Sequence, residues 1–300
     1  MSKTAAWISS LRLRTLPLAL SSIGMGSILA LEYRLFSWKI FILTASTAVF
    51  LQILSNLAND YGDAVHGADN AERVGPKRGL HSGDITLPQL RFAIVLCALL
   101  AIVSGLWLLG YATGGGTYFL FLITGFLCIA AAIMYTVGKK PYGYLGLGDI
   151  AVFLFFGIVG VAFTFYLYTK GFPAGTLLPA CTMGFLSAGV LNINNMRDHD
   201  SDASSGKKTL VVRMGTENAK RYHFVLILLA FIAITVYTLL HYYSFYQWLY
   251  LVTAPLFIMH LSGVGRAEPK NMDKYLKQLS LTTLLLVISF GAGIILQYHV

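Results

Sequence analysis

The chain has 300 residues, 56% of them hydrophobic and only 12% charged, with a mean hydropathy of +0.68. A soluble domain carries roughly 25% charged residues, so an ordinary water-soluble fold is excluded and a membrane chain is indicated. The formal net charge of +9 would suit a nucleic acid, but the placement of the basic residues accounts for it without one.

A spanning helix needs about 20 apolar residues. In chain order nine such stretches are predicted, near 15–33, 39–58, 91–111, 117–137, 148–168, 175–193, 222–241, 245–263 and 278–297. The expected fold is all-α, a single polytopic domain over 1–300. The N-terminus lacks the short apolar core and small-residue cleavage site of a removable signal, so the first span is expected to be retained. Cys97, Cys128 and Cys181 fall inside predicted spans with no metal-type spacing and read as small core residues. When loops are assigned alternately to the two sides, all 22 Lys and Arg except Arg34, Lys39 and Lys170 share one side. The positive-inside rule makes that side cytoplasmic, with the N-terminus on it.

Connections on the far side are short and nearly uncharged, such as Tyr111 to Thr117 and His241 to Gln247. Two long polar connections lie on the basic side, Asn59 to Pro88 and Asn195 to Lys220, and function is expected there. The first opens with Asn56, Asn59, Asp60 and Asp63 at i, i+3, i+4 and i+7, which share a face if the helix continues past the membrane. Carboxylate and amide oxygens so spaced suit Mg²⁺, which completes its shell with waters and substrate phosphates. The second carries Asp198 and Asp202 at i, i+4. Like charges one turn apart destabilise a helix unless a cation neutralises them. Asp60 and Asp198 are expected to face that metal on the solvent side rather than the core.

Bases follow each acidic run: Lys77 and Arg78 after the first, Lys207, Lys208 and Arg213 after the second. Cations beyond the metals would bind a diphosphate and offset the charge that grows on it as it departs. Asn56 and Asp60 recur as Asn194 and Asp198 at one offset, which suggests an internal duplication over about 15–140 and 148–297. A third segment on the same side runs from Tyr135 through Lys139, Lys140 and Tyr142 to Asp149. Tyr135 reads either as an interfacial anchor or as a site residue, and Asp149 as a helix N-terminal charge. The seven histidines show no ligand spacing, and P-loop, GxGxxG and GxSxG motifs are absent. A secondary transporter is the competing class, but its site would lie near the bilayer midplane, where this chain is almost uncharged. A metal-bound diphosphate above apolar helices describes a polyprenyl diphosphate, ionised at its allylic C–O bond.

Asn59-Asp60-Tyr61-Gly62-Asp63 resembles the first motif of the UbiA superfamily of intramembrane prenyltransferases. That motif ends in a further Asp, where this chain has Gly67; the next acid, Asp69, comes two residues late. The strings from Asn59 to Asp69, Leu191 to Asp198 and Gly206 to Arg213 are similar to the menaquinone-pathway branch. The resemblance implies a nine-helix UbiA-like bundle in a bacterial inner membrane, surrounded by membrane lipid, with its active site cytoplasmic. It implies transfer of a polyprenyl group from polyprenyl diphosphate to 1,4-dihydroxy-2-naphthoate with loss of its carboxylate; 4-hydroxybenzoate is the alternative acceptor. It also implies that Asn56, Asp60, Asp63, Asn194, Asp198 and Asp202 hold Mg²⁺ and diphosphate. Asn59, Lys77, Arg78, Asn195, Arg197 and Lys207 would assist in binding the donor. Tyr135, Lys139 and Lys140 are the candidates for orienting the acceptor and its carboxylate. Asp60, Asp198, Lys77, Tyr135 and Lys139 are expected to bear most directly on the chemistry.

Overall fold

A backbone that crosses lipid must pair its own N–H and C=O groups, so apolar runs of this length become helices. The computed structural model describes residues 2–67, 79–80 and 83–297. Among these residues there is no strand, and nine helical segments are long and apolar enough to cross a membrane. A short helix α1 (Lys3–Leu11) turns at Arg12 into α2 (Leu16–Glu32). Then come α3 (Trp38–Val65), α4 (Leu87–Ala112), α5 (Gly115–Met134) and α6 (Gly148–Thr169). The central helix α7 (Leu177–Arg197) is followed by the short helices α8 (His199–Ser204) and α9 (Leu210–Met214). The chain ends with α10 (Thr216–Leu240), α11 (Ala254–Arg266) and α12 (Asp273–Leu296).

Local chemistry sets the helix starts. Thr86 and Gln89 form a reciprocal capping box at α4, and Pro17 and Pro88 occupy first-turn positions where a missing N–H is harmless. Helix α7 packs against α2, α6, α10 and α12, burying Met183, Leu186, Ile193 and Met196. By contrast α5 buries only Phe121 and presents Phe119, Ile123 and Leu127 outward, as a lipid-facing helix should. The middle of α6, Phe153–Phe163, is π-helical, a winding that recurs at functional sites. His223 and His260 form a buried pair, Nε2 to Nε2 3.0 Å, with His260 Nδ1 3.2 Å from Gln278 Oε1.

Both acidic stretches, expected as loops, are largely helical. Helix α3 continues through Asn59, Asp60 and Asp63 to Val65. Asp198 marks the junction of α7 and α8, where the Asp202 N–H donates to the Asp198 carbonyl at 2.8 Å. Gly62 lets the end of α3 approach the segment after α5: a Cβ there would stand 2.4 Å from the Thr136 carbonyl oxygen. That obstacle is backbone, so Gly62→Ala is expected to cost about 1–3 kcal/mol of stability, read by thermal unfolding in detergent. A Tm unchanged from the parent would show that the contact is not tight.

Candidate active site

The end of α3 and the α7–α8 junction meet above one deep cavity of about 410 Å³. Near its mouth it is lined by Asn56, Asn59, Asp63, Asn194, Asn195, Asp198, Asp202 and Lys207. Below them it is apolar, running past Phe155, Phe156 and Val159 to Leu109, Phe121 and Phe163.

One ammonium joins the two acidic segments: Lys207 Nζ lies 2.7 Å from Asp63 Oδ1 and 3.2 Å from Asp202 Oδ1. The Tyr144 hydroxyl also donates to Asp63 Oδ1, at 2.8 Å, and Lys207 Nζ stands 4.8 Å from the Tyr144 ring centre. Burial pushes the Asp202 carboxyl up to about 6, against the lowering influence of Lys207. Asn59, its amide assigned by its partners, donates to Asp63 Oδ2 at 3.3 Å and accepts from Arg12 Nη1 at 3.1 Å.

The expectation that Asp60 and Asp198 face solvent is corrected. Asp60 is 1% exposed, because α1 lies against α3 and Arg12 Nη2 reaches Asp60 Oδ1 at 2.6 Å. Asp198 is 6% exposed and is held by its own neighbour, Arg197, through Nε to Oδ1 at 2.9 Å and Nη2 to Oδ2 at 2.6 Å. The same guanidinium reaches Asn194 Oδ1 at 2.9 Å and Asp273 Oδ1 at 2.6 Å, and Arg14 also pairs with Asp273. Asp198 lines the cavity, whereas Asp60 and Arg197 do not.

Asn56 donates to the Leu11 carbonyl at 2.9 Å and to Thr15 Oγ1 at 3.2 Å, which ties α3 to the turn between α1 and α2. In that turn Arg12 adopts a left-handed backbone, φ 49°, sparsely populated for a side chain of its size. Tyr135 lines the cavity, and Gly143 and Gly148 leave room for its side chain. Burial holds its phenol well above the ordinary value, with Asp149, Tyr142, Asp202 and Asp63 adding to the effect. It therefore stays protonated and can donate a hydrogen bond. Lys139 and Lys140 are exposed and do not line the cavity. Arg213 turns to the carbonyls of Leu145 and Lys208, at 2.7 and 3.1 Å, fastening two connections together. Lys77, Arg78 and Asp69 lie outside the described residues.

Arg12, Tyr144, Arg14 and Asp273 were not among the residues expected from sequence. In the sequence Arg12 and Arg14 are only two of the basic residues that share one side, and no local spacing marks Tyr144 or Asp273.

The donor set suits a hard divalent cation in a particular way. Among the described residues no three acidic or thiol/imidazole side chains converge as a ready cage. Instead two carboxylates from different helices meet at one cationic point, the arrangement expected of Mg²⁺ that borrows phosphate oxygens from its substrate. The carboxylates of Asp60, Asp63, Asp198, Asp202 and Asp273 already engage Arg12, Arg14, Arg197 and Lys207.

The fold is shared with solved UbiA homologues. One from Aeropyrum pernix K1 superposes with a TM-score of 0.68 at 18% identity, covering 96% of this chain and 98% of that one. Another from Archaeoglobus fulgidus, bound to DMAPP and Mg²⁺, gives 0.65 at 15% identity over 96% and 99%. In sequence the chain is 44% identical to the 1,4-dihydroxy-2-naphthoate octaprenyltransferase of Escherichia coli (strain K12), covering 99% of this chain and 97% of that protein. It is 40% identical to the enzyme of the same name from Haemophilus influenzae, over 98% and 97%. Residues 19–282 match the UbiA prenyltransferase family. A multi-pass helical chain whose two acidic helix ends close one apolar cavity, with this similarity along its length, belongs to the UbiA prenyltransferase family.

Proposed function

We propose that the chain transfers a polyprenyl group from polyprenyl diphosphate to 1,4-dihydroxy-2-naphthoate, releasing diphosphate and CO₂, with Mg²⁺ as cofactor. The observation that carries this reading is the meeting of Asp63 and Asp202 at Lys207 above an apolar cavity. Near-full-length relatives named for that reaction support the acceptor. Excess Lys and Arg on the site's side supports a cytoplasmic site and N-terminus in a bacterial inner membrane. The recurrence of Asn56 and Asp60 as Asn194 and Asp198 supports a duplicated unit.

Asp63, Asp198 and Asp202, with Asn56, Asn59, Asn194 and Asn195 around them, would hold the metal and the donor's head. Asp60 would act through Arg12. Bound there, Mg²⁺ supplies Lewis-acid stabilisation of the departing diphosphate. Lys207, with Lys77 and Arg78, binds diphosphate oxygens as the allylic C–O bond breaks and its electron pair leaves with the diphosphate. The aromatic faces of Tyr135, Tyr144 and Phe155 stabilise the allylic cation, and the apolar walls exclude water from it. The naphthoate ring then forms the new C–C bond, and CO₂ leaves its bonding pair to the ring. Protonated Tyr135 donates to an acceptor oxygen, and exposed Lys139 and Lys140 draw the anionic acceptor toward the mouth.

Purified protein with Mg²⁺, labelled polyprenyl diphosphate and, in parallel, dihydroxynaphthoate or 4-hydroxybenzoate tests the reading. Prenylated naphthoquinol only in the first arm is expected; product from neither arm would overturn it. Tyr135→Phe is expected to lower kcat/KM for the naphthoate about tenfold, the worth of one hydrogen bond, with the donor's KM unchanged. Equal loss for both substrates would remove Tyr135 from the acceptor's side.

A further inference from the structure

Away from the cavity, an open groove lies between the end of α11 and the start of α12, and its two halves differ in chemistry. Arg266, Lys270 and Lys274 stand exposed along one half. That half is at the end of the bundle where Asp273 meets Arg14 and Arg197. The other half is formed by Ile258 and Met259, 67% and 64% exposed. They precede Arg266 on the same helix by about two turns, which at about 1.5 Å per residue places them roughly 10–12 Å deeper along the span. Ser262 lies between the halves, one turn before Arg266.

Tyr275 forms one wall. It lies so close to α11 that a Cβ on Gly263 would stand 2.4 Å from its ring, and Lys274 Nζ stands 4.9 Å from the ring centre. Glu268, the carboxylate lining the groove, pairs with Lys270 at 2.8 Å. Both partners are about two-thirds exposed, and such a pair is weak enough to yield to another anion. The cationic half keeps an excess of positive charge.

We propose that this groove binds one anionic phospholipid of the surrounding bilayer, its phosphate between Arg266 and Lys274 and an acyl chain along Met259 and Ile258. Topogenic charge would explain the sign of the rim but not its alignment with the exposed Ile258 and Met259, about two turns deeper on the same helix. A free phosphate would use the cations alone, whereas one anionic lipid would place its phosphate on the cations and its acyl chain along Ile258 and Met259.

The full chain, reconstituted in vesicles of phosphatidylcholine with a minor share of phosphatidylglycerol, is extracted gently and weighed by native mass spectrometry. One phosphatidylglycerol per chain is expected to persist in preference to phosphatidylcholine. Removing each cation is expected to weaken retention about fivefold, on the order of 100-fold for Arg266→Gln, Lys270→Gln and Lys274→Gln together. Met259→Asp is expected to weaken it with the cations intact, and excess inorganic phosphate is expected not to displace the lipid. Equal retention by parent and triple variant, or displacement by phosphate alone, would overturn the proposal. Should the triple variant fail to fold, Lys274→Gln by itself decides by the fivefold criterion. None of these residues lines the catalytic cavity, so unchanged turnover serves as the control for folding.

Discussion

Asp63→Asn and Asp202→Asn are each expected to lower kcat/KM for the polyprenyl diphosphate by about 10²–10³-fold, the effect of losing one preorganised electrostatic contact in a water-poor site. Each change removes one of the two carboxylates that converge on Lys207. Neither leaves that ammonium stranded, because the other carboxylate remains within 3.2 Å of it. Loss of activity should therefore come without loss of fold, and the thermal transition in detergent should stay within a few degrees of the parent. Steady-state rates at saturating naphthoate, measured beside that transition, separate the two. Activity within a few-fold of the parent in either variant would take that carboxylate out of the donor site.

Arg197→Ala is expected to destabilise the chain by about 3–5 kcal/mol, the usual consequence of removing one partner from a buried ion pair. Its guanidinium, 2% exposed, bridges Asp198 and Asp273 and also reaches Asn194. Without it buried Asp198 loses both of its bonds to that guanidinium. Arg197→Lys is expected to recover only a small part of the loss, since an ammonium cannot reproduce a two-pronged bond to Asp198 while reaching two other side chains. The readout is thermal unfolding in detergent for both variants. An alanine variant as stable as the parent would show that the clamp is decorative. Arg197, expected to bind substrate, does not line the cavity; its guanidinium bonds to Asp198 and Asn194, which do.

The spans are legible in the sequence because lipid makes each helix satisfy its own backbone, so one apolar run is enough to mark each of them. Asp63 and Asp202 stand out in the sequence as acids one or two helical turns from other polar side chains, and the fold brings both to Lys207. Arg12 and Asp60 are 48 residues apart, Tyr144 and Asp63 81, Arg14 and Asp273 259. No periodicity links such pairs, and only tertiary packing brings them together: α1 on α3, the turn that holds Arg14 against the start of α12, and the segment between α5 and α6 against the end of α3. Charge counting assigned Arg12 and Arg14 to a side of the membrane and could say nothing of their partners. The burial of Asp60 is not legible because α1, which lies against α3, precedes the first predicted span and is too short to show as a span of its own.

Lys207, standing between Asp63 and Asp202, also makes the site's two ligands depend on each other. On the proposed function, a metal ion binding alone would compete with the ammonium that Asp63 and Asp202 already hold, and a diphosphate binding alone would find that ammonium engaged by them. With both bound, Asp63 and Asp202 would be free to hold the metal and Lys207 to hold the phosphate. Each should therefore tighten the other's affinity by the same factor, a reciprocity that equilibrium titration of either one in the presence of the other would measure directly.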